Sequence, residues 1–206
     1  MDSESNLPNG CRFKRGVLFF LLAALGLALD LATKRALFDW LGLPGEYNAL
    51  ASDPHSPLSS AYWLIPNVFG FQTSLNEGAL FGMGQGMTAV FIGASFAAFI
   101  AIFLWFWREG YKSRTLTVAF GLIVAGIAGN LWDRLALHSL VWPDYCAAEI
   151  AGKPIHAVRD WILIMIGRWP WPNFNLADTF LVIGVALVFC CALFAPPKTV
   201  DEAPKQ

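Results

Sequence analysis

From Thr88 to Trp107 the chain carries no charged side chain, and the same holds from Thr115 to Trp132. A helix needs about 20 mostly apolar residues to cross the hydrocarbon core of a bilayer, so these runs restrict the fold more than any other feature. Two more runs are nearly as apolar. GVLFFLLAALGLAL follows Arg12, Lys14 and Arg15, and a run from Leu176 to Ala195 ends at Pro196 and Pro197. With 56% hydrophobic and 14% charged residues, against about 25% charged in a soluble domain, the chain reads as a membrane protein. Four spans are expected, at about 16–38, 88–107, 115–137 and 176–195, in a single membrane domain over residues 1–206. A basic head before an apolar run also suits a signal peptide, but no small-x-small cleavage pattern follows and three further apolar runs favour a first span.

The loops at 39–87 and 138–175 are too mixed to span anything. The first contains a strand-like stretch, Val68–Leu75, followed by Asn76-Glu77-Gly78, a turn signal. The second contains Arg159-Asp160, an apolar hexad and a Trp-Pro-Trp-Pro turn. The fold class expected is therefore an all-α membrane protein of four transmembrane helices with a small β-containing subdomain outside the cytoplasm. Arg12, Lys14, Arg15, Arg108, Lys112, Arg114, Lys198 and Lys205 fall on the tails and the short loop, against the other six of the 14 basic residues. That bias puts both termini in the cytoplasm and the two long loops outside, with Trp132, Trp142, Trp161, Trp169 and Trp171 as an interfacial belt.

This topology brings Asp30, Asp133 and Asp178, from three helices, to one end of the membrane, where Asp160 joins them from the second loop. Lys34 lies one turn after Asp30, in the favourable order for a helical ion pair. Asn130, Asp133 and Arg134 share a face at i, i+3 and i+4. Asn175 reads as the N-cap of the last helix, with Asp178 at its third position. Each feature taken singly is a cap or a helix-end pair. Acids gathered at one membrane depth are costly and point to function. Two close carboxylates share a proton, so one activates water while the other polarises a carbonyl. That is aspartyl peptidase chemistry. Spacing alone leaves Asp133 and Asp160 open as the partner of Asp178.

Other chemistries find no support. There is no GxSxG elbow, no cysteine with a nearby histidine, no HExxH and no CxxC, so neither cofactor nor metal is expected. A net charge of −1 and the lack of a basic tract argue against nucleic acid. A proton-coupled transporter is the competing class, since it too carries membrane acids, but transporters place polar groups at the midplane on interrupted, repeated helices. A non-catalytic scaffold leaves the Asp160–Asp178 stretch without a purpose.

Asp30-Leu-Ala-Thr-Lys34, Asn76-Glu-Gly-Ala-Leu-Phe81, Gly129-Asn-Leu-Trp-Asp-Arg134, Val158-Arg-Asp160-Trp and Phe174-Asn-Leu-Ala-Asp178 resemble, in that order, the motifs of bacterial lipoprotein signal peptidase, signal peptidase II, over about residues 16–195. The resemblance implies an intramembrane aspartyl peptidase of the bacterial cytoplasmic membrane, active near its outer face. It would cleave a prolipoprotein signal peptide just before the lipid-modified cysteine. It implies Asp160 and Asp178 as the catalytic pair. Asp30, Lys34, Asn76, Gly78, Asn130, Asp133, Arg134 and Asn175 would support the site or contact substrate. It further implies a metal-free monomer whose partners are that signal peptide and membrane lipids. Leu31, Glu77 and Trp161 depart from the commoner residues of the family. The stretch from His138 to Ala157 is longer than usual, so the match of Asp160 crosses an insertion that also holds Asp144.

Overall fold

The computed structural model describes residues 9–44, 61–78 and 86–194. The basic residues Lys198 and Lys205, Phe81 of the second motif, the end of the expected last span and much of the first loop lie outside the described residues. In chain order the elements are α1 (Asn9–Leu41), β1 (Tyr62–Ile65), β2 (Phe69–Asn76), α2 (Thr88–Arg108), a short 3-10 turn (Gly110–Lys112), α3 (Arg114–Arg134), β3 (Val158–Ile166), β4 (Trp169–Pro170) and α4 (Leu176–Leu193). All four α-helices are long and apolar enough to cross a membrane.

The centre of the bundle is α3, the one helix buried along most of its length. Its small residues make this possible, in two stripes. On one side Gly121 lies under Leu22 and Phe19, Gly26 of α1 meets Ala125, and Gly129 abuts Asp30. On the other, Gly126 sits against the backbone of Ala177 and the side chain of Leu181, while Gly184 of α4 meets Ile123 and the backbone of Ala119. Such close approach replaces the hydrophobic drive that lipid does not supply between helices. By contrast α2 buries only Phe106. It leaves Val90, Phe96, Ile100 and Leu104 about half exposed, the surface expected of a helix facing lipid.

Two helices differ from their expected limits. α1 starts at Asn9 instead of 16, because its basic first turns have partners: the Arg12 guanidinium stands 4.6 Å from the Tyr111 ring and 5.6 Å from that of Trp107. α3 ends at Arg134 instead of 137, where Ala136 turns left-handed at φ 55°.

The strands form one antiparallel sheet in the order β1-β2-β3-β4, built from both long loops. β3 was expected as loop. Its residues Val158–Leu163 are all buried, so from Trp161 on both faces carry apolar side chains and the alternation that marks a half-exposed strand disappears. Gly167, at φ 66°, opens the two-residue turn to β4, a position that favours glycine. Trp161 was expected in an interfacial belt. It is instead buried with Phe38 and Ile162, its ring 5.5 Å from that of Phe71, and so docks the sheet on the end of α1.

A methyl group normally stabilises a helical glycine position by up to about 1 kcal/mol, but at Gly126 it would press on the Ala177 carbonyl, which cannot yield. Overpacking, about 1–3 kcal/mol, wins there. Gly126→Ala should lower the melting temperature in detergent, whereas Gly93→Ala, where a methyl meets nothing within 4 Å, should leave it unchanged or slightly raised.

Candidate active site

Asp160 reaches its place through sheet pairing, opposite Ser74 of β2. The chain then returns along β3: Phe174 O accepts from the backbone N–H groups of Trp161 (3.0 Å) and Ile162 (2.8 Å). The next residue, Asn175, therefore lands beside Asp160 just where α4 begins. Its side-chain oxygen accepts from Asp178 N at 3.0 Å, and the Asp178 carboxylate accepts from Asn175 N at 3.2 Å, a reciprocal cap.

These bonds fix which way the amides point. Because a backbone N–H holds the Asn175 oxygen, its amide nitrogen must face the other way. It donates to Asp160 Oδ1 at 2.6 Å and to Asn130 Oδ1 at 3.1 Å. Asn130 Oδ1 also accepts from the Lys34 ammonium at 3.1 Å, a group that only donates. The Asn130 amide nitrogen is thereby turned to Asp178 Oδ1, at 2.7 Å. Asn76 repeats the device from the sheet. Its oxygen accepts from Gly78 N at 3.0 Å, and its nitrogen donates to Asp160 Oδ2 at 3.2 Å. Three asparagines thus aim N–H groups at two aspartates, and Asn175 links them directly.

Behind them lies a buried quartet of charges. Lys34 Nζ stands 2.8 Å from Asp30 Oδ2 and 3.0 Å from Asp133 Oδ2, with all three side chains fully buried. Asp30 Oδ1 accepts from Ala177 N at 2.9 Å, tying α1 to the start of α4. Asp133 accepts from Arg159 three times, from the backbone N at 3.0 Å, Nε at 3.0 Å and Nη2 at 2.8 Å. Two cations and two anions balance, which is what allows them to be buried. The sequence puts Arg159 close to the acids as a partner for one of them but does not say which. Recognising a strand there would have exposed it, because neighbours on a strand face opposite ways.

Asp160 is 2% exposed. Burial, and then repulsion from Asp178, push its pKa up to about 8 against the donors Asn175 and Asn76. Asp178 is half-buried and lines a cavity of about 520 Å³ with Asn76, Asn130 and Arg134 among apolar residues such as Phe174 and Leu181. Asp160 lies just off that wall. At the rim Arg134 Nη2 donates to Gly78 O at 3.2 Å, and its guanidinium lies over the Phe91 ring at 5.2 Å, so the Asn76-Glu77-Gly78 turn is tied to α3. All ten candidate positions come together here. Asp144 is exposed on the insertion. Among the described residues no group of three or more His, Cys, Asp or Glu is placed to hold a metal ion.

Four apolar helices over a pair of amide-linked aspartates define a multi-pass membrane protein with a buried carboxylate pair. The family described as signal peptidase (SPase) II matches residues 22–194, and the chain belongs to that family. It is 40% identical over 176 residues to a lipoprotein signal peptidase of Rhodopirellula baltica, covering 84% of this chain and 70% of that one. It is 29% identical over 189 residues to one of Geobacillus thermodenitrificans, covering 91% and 98%. The fold is also that of a bacterial membrane enzyme solved by the in meso method at 2.3 Å resolution, with a TM-score of 0.67, 22% identity, and coverage of 91% of this chain and 94% of that one.

Removing one member of a buried charge cluster strands the others, at a cost of about 3–5 kcal/mol. Asp133→Ala should therefore lower the melting temperature by many degrees as well as abolishing activity. Thermal unfolding of the purified variant in detergent checks this, and an unchanged midpoint would assign Asp133 a chemical role instead.

Proposed function

We propose that the chain is a membrane-embedded aspartyl endopeptidase that removes the signal peptide of a lipid-modified prolipoprotein, cleaving just before the diacylglyceryl-cysteine. The observation that carries this reading is the pair Asp160 and Asp178, linked through Asn175 and Asn130 beside a largely apolar cavity. The family membership supplies the substrate class.

Asp160, with its pKa pushed up to about 8, holds the shared proton at neutral pH. Asp178, which faces the cavity, takes a proton from water as that water attacks the scissile carbonyl. Asp160 polarises the carbonyl oxygen, the tetrahedral adduct collapses, and a proton passes to the leaving amine. The two titrate as a pair. Water exclusion strengthens every interaction in this exchange. A signal peptide is itself an apolar helix, and the cavity wall formed by Leu181, Val182 and Ile183 of α4 gives it a sideways entry from lipid. The sheet and second loop cover the pair. In this reading the chain is one membrane domain and a monomer in the bacterial cytoplasmic membrane, its termini in the cytoplasm and its site near the outer face. Its partners are the prolipoprotein and membrane lipids, and it needs neither cofactor nor metal.

In-gel cleavage of a purified lipid-modified prolipoprotein tests the assignment. Asp160→Asn and Asp178→Asn keep shape but lose the proton exchange, so each should lower turnover by about a hundredfold or more while the protein still inserts and folds. Normal processing by Asp160→Asn together with loss in Asp133→Asn would transfer the role to Asp133. The pH profile is a further check. A raised carboxyl pKa means the proton is present below about 8 and lost above it, so kcat/KM should fall as pH rises through that value.

A further inference from the structure

A second cavity, of about 470 Å³, opens on the opposite side of the charge quartet, between the end of α1 and the insertion after α3. Leu31, Arg35 and Asp39 line it from α1, Trp132 from α3, His138 from the insertion and Arg159 from β3. Leu31 to Asp39 covers about 12 Å along the helix axis at 1.5 Å per residue, so the wall passes from apolar to charged toward the end of α1.

Its polar groups are under-used. The His138 Nδ1 accepts from Leu140 N at 3.0 Å, which puts the proton of the neutral ring on Nε2. That atom is buried and finds no acceptor among the described residues. Burial, and then the nearby Arg159, lower the His138 pKa and keep the ring neutral. Arg159 commits Nε and Nη2 to Asp133, and its Nη1 makes no hydrogen bond among the described residues. Arg35 and Asp39 form a wide 3.5 Å pair with side chains 83% and 68% exposed, which costs little to open. The cavity thus offers donors beside one carboxylate near the end of an apolar helix.

We infer that this cavity binds the head group of a zwitterionic phospholipid, with the phosphate on Arg35 and Arg159 and a primary ammonium on Asp39. Such a head group replaces one loose ion pair by two. The glycerol and chains lie along Leu31 and Trp132. A quaternary ammonium has no N–H for Asp39, and a glycerol head group has no cation, so both fit worse. The inference rests on the membrane fold and not on peptidase activity.

Native mass spectrometry of the purified protein with equal amounts of phosphatidylethanolamine, phosphatidylcholine and phosphatidylglycerol decides it. The ethanolamine lipid should be retained about tenfold over either of the others, the factor given by one charge-assisted hydrogen bond. Arg35→Gln and Asp39→Asn should each bring it down to the level of phosphatidylcholine without moving the melting temperature, both being surface changes. Equal retention of the three lipids, variants that retain the ethanolamine lipid as well as the parent, or its displacement by inorganic phosphate alone would each overturn the proposal. Because lipid retention is the readout, the outcome is separate from whether the chain cleaves prolipoproteins.

Discussion

The Lys34 ammonium is the interaction on which the rest depends. One fully buried nitrogen touches Asp30 of its own helix, Asp133 and Asn130 of α3. Through those partners it reaches the start of α4 and strand β3. Without a cation at this point Asp30 would be buried without its counter-charge and Asp133 would keep only Arg159, a cost that no nearby apolar contact offsets. Lys34 also fixes the Asn130 amide, and with it the donor that faces Asp178. The same group is therefore structural toward one side and orienting toward the other, with no contact to either aspartate of the proposed pair.

Much of this could be read from the chain, for physical reasons that differ by element. The spans were legible because hydrocarbon tolerates little but an uncharged helix of fixed length. The α4 cap was legible because Asn175 and Asp178 act within one turn, and β2 because its Phe69–Asn76 stretch ends in a turn signal. The Asp30–Lys34 pair was legible for the same local reason, yet its links to Asp133 and Asn130 were not, since those depend on how α1 meets α3.

β3 shows the limit most clearly. Buried on both faces, it presents from Trp161 to Ile166 a continuous apolar run that periodicity does not separate from a loop or a helix. Its strand character decides where Asp160 and Arg159 point, and so which acid meets the Asn175 and Asn76 amides. Spacing left Asp133 and Asp160 open. The geometry distinguishes them by surroundings: Asp133 is matched by two cations, whereas Asp160 faces amides and another carboxylate.

The sheet draws its strands from loops on either side of α2 and α3, and Asn76 and Asp160 are 84 residues apart in the chain. Asn175, which joins the two aspartates, stands at the threshold of the last helix. During biogenesis the first three spans can enter the bilayer with the later acids still far from one another, because the long-range pairings that gather them form only after their intervening chain is in place. A partly threaded chain thus holds all the ingredients of its charge quartet except Arg159 and carries no assembled site. Completion of the fold and appearance of the carboxylate pair are one event, timed by the arrival of α4.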